Sequence, residues 1–508
     1  MDNLNTSAED TLSKALITVF EECSDLPCLT STDGASWTYG QLNNLSKRIT
    51  SVLLSFGLGQ GSRVLVQVQK STEAVAFYLA CLRLGCVFIP LNTDYTDQEI
   101  SYFIEDAKPD FVLCDPEREE QIKRMVETEI LTLGPDMEGT LMVEVEASDP
   151  TNICGQVKPG DVAAILYTSG TTGRSKGAMI SQENLLTNAR ALIRIWGWSN
   201  RDVLLHALPI FHVHGLFVAL HCVFLSRASA IFLQRFVPEQ VLRSLPLCTV
   251  MMGVPTFYTR LLKFNNLGAA CSKKMRLFIS GSAPLREQTF IDWEAITGFK
   301  ILERYGMTET GMITSNPLDG ERVAGTVGFP LPEVEVRIAN NSERIEDEGE
   351  IGMIEVRGPN VFLGYWRMPE KTAAEFSQDG YFKTGDLGFL ESNDRLTIVG
   401  RGKDMIISGG YNIYPKEIEV LVDEIDGISE SAIIGVPHPD FGEGVLAVVV
   451  PESFEIKLEV LVSALEHRLA RFKMPKAVIN LKELPRNTMG KVQKNELKRR
   501  FSDLFEEY

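Results

Sequence analysis

Eleven consecutive residues, Tyr167-Thr168-Ser169-Gly170-Thr171-Thr172-Gly173-Arg174-Ser175-Lys176-Gly177, carry five hydroxyls of Ser or Thr, three glycines and one lysine. They follow the apolar run Val162–Leu166, which reads as a strand, and they precede a pattern that reads as a helix. A buried strand that ends in such a run must stop there, because glycine and hydroxyl side chains favour turns over ladders. Glycine also lets backbone N–H groups approach an anion, and hydroxyls with an ammonium add donors, so a polyphosphate fits. The run is not a Walker A loop, since Ser175 stands where the second glycine would be needed. Its composition also suits an ordinary surface turn, and the run by itself leaves both readings open.

The rest of the chain alternates. Thr38-Tyr39-Gly40-Gln41 resembles a capping box, followed at helical spacing by Leu42, Leu45, Ile49, Leu53 and Leu54. Strand-like Val64–Val68, a helix over Ala74–Leu84, and strands at Val87–Pro90 and Phe111–Leu113 follow. The rhythm returns between Val203 and Ile231 and between Leu277 and Leu302, which predicts α/β sheets with parallel strands. Residues 341–350 are charged enough to be a solvated loop before a strand at Gly352–Val356. Beyond Arg401 the pattern becomes α+β: a Gly409-Gly410 pair, a helix from Pro415, strands near Ile433 and at Val445–Val450, then a helix bearing Leu458, Leu461, Leu465 and Leu469. At 508 residues more than one domain is expected, and the boundary falls between 402 and 403.

Composition narrows the function. A net charge of −18 argues against general nucleic-acid binding, so an anionic ligand must be met by locally placed cations. Nine cysteines, an odd number without metal-site spacing and often in apolar context, predict reduced thiols in a reducing, cytoplasmic setting. The first residues lack the basic start of a targeting segment, and no run of about 18 apolar residues predicts a membrane span.

The hydroxyl-rich loop is joined, in order, by Glu303-Arg304-Tyr305-Gly306-Met307-Thr308-Glu309, Tyr381-Phe382-Lys383-Thr384-Gly385-Asp386, Gly400-Arg401-Gly402-Lys403-Asp404 and Asn487-Thr488-Met489-Gly490-Lys491. With these five segments the chain resembles, over almost its whole length, the adenylate-forming superfamily of acyl-CoA synthetases, luciferases and adenylation domains. It departs at Ser175, where the family usually has proline. The resemblance implies a large N-terminal domain (1–402) of several α/β subdomains and a small mobile α+β domain (403–508) turning about Lys403. It implies ATP, Mg²⁺ and coenzyme A, with a small carboxylic acid as partner. By the same resemblance Thr168, Ser169, Gly170, Thr171, Thr172, Gly173 and Lys176 meet the ATP phosphates, and Thr172 with Glu309 meets magnesium. Gly281, Ser282, Ala283, Glu303, Arg304, Tyr305, Gly306 and Thr308 surround the nucleotide, while Asp386 takes its ribose and Arg401 the ribose or a phosphate. Lys491 is the central catalytic residue, with Thr308 and His212 beside it. Gly409, Gly410, Arg471 and Lys473 are implied to meet coenzyme A.

Which acid is activated turns on two more segments. Four of the six histidines lie between His206 and His221, including His212-Val213-His214. The run Gly253-Val254-Pro255-Thr256-Phe257-Tyr258-Thr259-Arg260 matches the helix that lines the acyl tunnel in relatives acting on fatty or aromatic acids. An arginine in such a tunnel is costly unless an anion pairs with it. His212, Arg260, Ser282 and Met307 are thus expected around a substrate with a second carboxylate, and the pattern is most similar to malonyl-CoA synthetases. Another small acid (methylmalonate, oxalate or a short monocarboxylate) and a stand-alone enzyme that loads a carrier protein remain alternatives.

Overall fold

A computed structural model describes residues 10–505, apart from 32–33, 169–174, 272–273, 341–342, 346, 410, 488–489 and the side chain of Asp136. Two large sheets form its body. One has seven strands, ordered Gly364–Tyr365, Lys176–Ser181, Val162–Thr168, Val87–Pro90, Arg63–Gln67, Phe111–Cys114 and Glu129–Thr132. The other has nine. It runs from Phe329–Pro330 through Gly311–Ser315, Leu302–Met307, Leu277–Ser280, Val250–Gly253, Val203–His206 and Ser229–Phe232 to Pro27–Thr30 and Ser36–Thr38. The central strands of both are parallel, with helices between them, as the alternation predicts.

Local sequence accounts for many boundaries. Thr38 Oγ1 accepts from Gln41 N at 3.1 Å and Gln41 Oε1 accepts from Thr38 N at 2.8 Å, and this reciprocal cap starts the helix Tyr39–Ser55. Gly85, at φ +73°, ends the buried helix Thr72–Leu84 in the left-handed conformation that glycine adopts without strain. One expectation is corrected. The hydroxyl-rich loop leads into the strand Lys176–Ser181, which pairs antiparallel with Val162–Thr168; the helix Gln182–Ile195 comes only after it. The run Gly177-Ala178-Met179-Ile180 shows no period-2 alternation because its strand is buried almost throughout.

A five-stranded antiparallel sheet (Glu343–Arg344, Glu335–Asn340, Gly352–Arg357, Phe382–Leu390 and Leu396–Arg401) closes the body. The C-terminal part has its own sheet, built on the long hairpin Ile428–His438 and Gly442–Pro451. The core of the body gathers residues from Leu12 to Leu396, and two separate cores gather residues from Ile406 to Phe505. Seven of the nine cysteines are buried, all nine are free thiols, and no helix among the described residues is long and apolar enough to cross a membrane.

Candidate active site

Three corners of one cleft are built by strand ends and turns. The first is made where Phe382–Leu390 pairs with Leu396–Arg401, which sets Asp386 opposite Arg401. Arg401 Nε lies 2.6 Å from Asp386 Oδ1, and the Tyr305 hydroxyl donates to Oδ2. Burial, and the neighbouring Asp386 charge, push the Tyr305 phenol well above its ordinary range, so it stays a donor. The carboxylate is thus buried and fixed by two donors.

The second corner centres on Glu309. Its Oε1 accepts from Thr168 Oγ1 at 3.3 Å and from the Tyr365 hydroxyl at 3.0 Å. Among the described residues no group of three or more His, Cys, Asp and Glu side chains gathers anywhere. A single buried carboxylate beside a hydroxyl-rich loop suits magnesium, which takes few protein ligands. Ser169, Gly170, Thr171, Thr172 and Gly173 lie outside the described residues. Lys176 is buried at the foot of that loop, 4.2 Å above the Tyr365 ring and 3.8 Å from Glu375 Oε1.

The third corner is the most unusual electrostatically. Along the strand Leu302–Met307 alternation sends Glu303 and Tyr305 to one face and Arg304 to the other. The Arg304 guanidinium is 3% exposed, and its Nε and Nη2 have no hydrogen-bond partner. It lies so close to Gly281 that a Cβ there would sit 2.4 Å from Cζ, which accounts for the glycine. Burial pulls this guanidinium down to about 9. Beside it Ser282, at φ +70°, places Oγ 3.2 Å from His214 Nδ1, and the His214 N–H donates to His212 Nδ1 at 3.2 Å. His212 therefore carries its ring proton on Nε2 and has that N–H to offer. Burial, then the charges of Lys491 and Arg304, hold it neutral by lowering it to about 3. A π-helical segment, His214–Leu220, follows, and His206 Nε2 braces its first turn at 2.8 Å from Gly215 O.

Lys491 joins the corners. It sits in a turn closed by Asn487 N to Lys491 O and Gly490 N to Asn487 O, at 2.9 and 2.8 Å. Gly490, at φ +75°, packs on Thr256, where a Cβ would meet Oγ1 at 3.2 Å. Lys491 is exposed as a residue, yet its ammonium lies among the charges of the body. Burial lowers it, Arg401 and Arg304 lower it further, and Asp386 and Glu309 oppose them.

Arg260 lies in the last turn of the helix Pro255–Leu261, exposed to solvent, and it is absent from the charges acting on His212, His214, Arg304 and Lys491. The buried residues of that helix are Pro255, Phe257, Tyr258 and Leu261. The arginine whose charge acts on His212 is Arg304, and strand alternation relative to Tyr305 is the signal that could have found it. Met307 and Thr308 are half-buried just before Glu309, and Ala283 is half-buried after Ser282. Tyr365, which bonds Glu309 and lies under Lys176, stands outside all five sequence motifs and carries no signal in the sequence. Gly409, Arg471 and Lys473 belong to a different patch, where Lys473 pairs with Glu417 and Tyr411 stacks on Phe472 at 4.5 Å; Gly410 is outside the described residues.

Residues 18–366 match the AMP-binding enzyme family, and residues 417–491 match the AMP-binding enzyme C-terminal domain. The chain is an AMP-binding enzyme. Its fold is that of the adenylate-forming enzymes: this AMP-binding enzyme matches ATP-bound MatB from Rhodopseudomonas palustris at TM-score 0.95 and 49% identity, covering 97% of this chain and 99% of that one. It is 34% identical to a malonate–CoA ligase of Arabidopsis thaliana, over 92% of this chain and 85% of that protein. A mitochondrial malonate–CoA ligase of Homo sapiens is 36% identical, over 82% and 79%.

Proposed function

We propose that this AMP-binding enzyme ligates malonate to coenzyme A with ATP, through malonyl-adenylate, releasing pyrophosphate and then AMP. The observation that carries the dicarboxylate is the buried Arg304 guanidinium with two unpaired N–H groups, beside the neutral His212 and Ser282. An unpaired cation is expensive to bury, and a second carboxylate on the substrate is the partner that compensates it. The similar malonate–CoA ligases support the same acid.

A carboxylate oxygen of malonate attacks the α-phosphorus, and pyrophosphate leaves with the electrons of the broken P–O bond. Lys491, felt both at His212 and at Asp386 and Glu309, stabilises the charge growing between carboxylate and α-phosphate. Asp386 accepts the ribose hydroxyls, Arg401 and Tyr305 hold it in place, and Glu309, steadied by Thr168, would hold magnesium together with Thr172. Magnesium, when bound, neutralises phosphate charge and favours departure of pyrophosphate. The thiol of coenzyme A then attacks the acyl carbon and AMP leaves. We assign 1–402 to the large domain and 403–508 to the small one, with Lys403, exposed in the turn Gly402–Asp404, as the hinge. The separation of the cores between Leu396 and Ile406 supports this division. Gly409, Gly410, Arg471 and Lys473 are assigned to coenzyme A in the second step, and the buried free thiols fit a reducing compartment such as the cytoplasm. Thioester formation from malonate, methylmalonate, oxalate and butyrate tests the reading. Malonate should give the highest kcat/KM, and equal turnover of butyrate would remove the dicarboxylate.

A further inference from the structure

One side chain of the body grips the small domain. Arg286 immediately follows the turn Gly281–Leu285 and caps the helix Glu287–Thr297. Its Nε lies 3.3 Å from Asp423 Oδ2, its Nη2 donates to the Asp423 carbonyl at 3.0 Å, and its Nη1 donates to the Ser429 carbonyl. Asp423 is the last residue of the helix Pro415–Asp423, where carbonyls lack helical partners and the helix dipole is negative. Ser431 Oγ holds the other carboxylate oxygen at 2.8 Å. The fork is therefore committed to three acceptors on two segments of the small domain, unlike an isolated surface ion pair. With these contacts in place, Gly490 packs on Thr256 and Lys491 enters the cleft.

We propose that Arg286 is a latch: a positioning residue that holds the small domain where Lys491 reaches the cleft, and that must let go before the second half-reaction. The inference rests on the acid–CoA ligase reading above. All three contacts belong to one guanidinium, so rotation of the small domain loses them together and the latch has two states. Its sequence position ties it to the nucleotide, since only Ala283, Pro284 and Leu285 separate it from Ser282.

The test compares Arg286→Ala and Arg286→Lys with the unaltered enzyme in the two half-reactions. These are malonate-dependent ATP–pyrophosphate exchange and thioester formation from supplied malonyl-adenylate and coenzyme A. Arg286→Ala should lower the first by about tenfold or more, the scale of losing a charged hydrogen-bonding group, and should not slow the second. Arg286→Lys should be intermediate, because one ammonium cannot span the three acceptors. Adding Asp423→Ala to Arg286→Ala should cost nothing further, as expected for residues acting as one unit. Equal slowing of both half-reactions, or additive losses, would overturn the latch. Hydrogen exchange with ATP alone, over residues 287–297 and 415–423, reads the latch whichever acid the enzyme takes. Faster exchange in both segments of Arg286→Ala supports it, and unchanged exchange in both overturns it. Absence of malonate-dependent pyrophosphate exchange in the unaltered enzyme would sink the malonate reading instead, and leave hydrogen exchange to decide the latch.

Discussion

Replacing Arg304 by methionine should move catalysis and stability in opposite directions. The side chain is buried, two of its N–H groups lack partners, and it stacks on Gly281 close to His212 and Lys491. Two charge-assisted hydrogen bonds to the distal carboxylate of malonate, at about 1.5–3 kcal/mol each, sum to about 3–6 kcal/mol. Arg304→Met should therefore lower kcat/KM for malonate by roughly two to four orders of magnitude and leave butyrate unchanged or improved. In the empty enzyme the same guanidinium is a liability. A shift from 12.5 to about 9 corresponds to about 5 kcal/mol against keeping the charge there. Methionine removes that charge at similar length, so the apparent Tm of the ligand-free protein should hold or rise. Acyl-CoA formation from the two acids, alongside a thermal melt without ligands, gives both readouts. Arg260→Leu is the control: its side chain is exposed, and the malonate-to-butyrate ratio should not move. An unmoved ratio in Arg304→Met, or a collapsed one in Arg260→Leu, would refute the assignment of the distal carboxylate to Arg304.

Lys491→Ala should abolish adenylate formation, by about two or more orders of magnitude, and spare thioester formation from supplied acyl-adenylate; an unchanged first step contradicts the assignment. Lys403→Pro fixes φ at the proposed hinge and should slow thioester formation more than adenylation, measured as separate half-reactions. Equal effects on the two would move the hinge elsewhere. Glu303, raised by burial from 4.5 to about 8, is protonated in the folded protein over a range where the unfolded chain is ionised. Its stabilising effect is full below about pH 4.5 and is lost as pH rises toward 8, at about 1.4 kcal/mol per unit. Glu303→Gln should remove that slope, so denaturation midpoints at pH 5.5 and 7.5 should converge relative to the unaltered protein.

Much of this architecture was legible because local signals coincide with global needs. The Thr38–Gln41 box and the strands Val87–Pro90 and Phe111–Cys114 stand where spacing predicts them. The strand Lys176–Ser181 was not legible: it is buried on both faces, has no alternation, and runs into a true helix capped by Ser181. Arg260 and Arg304 divide on the same ground. The direction of a residue in the two-turn helix Pro255–Leu261 depends on what packs around it, which no local pattern states. Arg304, by contrast, is tied by strand period to the side opposite Tyr305. Docking of the small domain through Arg286 joins residues more than a hundred positions apart, and such contacts leave no trace in a local window.

The nine-stranded sheet also sets a schedule for biosynthesis. Its penultimate strand Pro27–Thr30 pairs in parallel with Ser229–Phe232, with Leu29 beside Ala230, and its edge strand Ser36–Thr38 follows on the other side. The partner is made only after about 200 further residues, on the order of 10–40 s at about 5–20 residues per second. Until it is made the strand has only the neighbouring Ser36–Thr38 to pair with, and its other side keeps unpaired backbone groups. During synthesis that open side of Pro27–Thr30 is a strand edge waiting for a distant mate, the kind of surface on which a chaperone for extended segments would act.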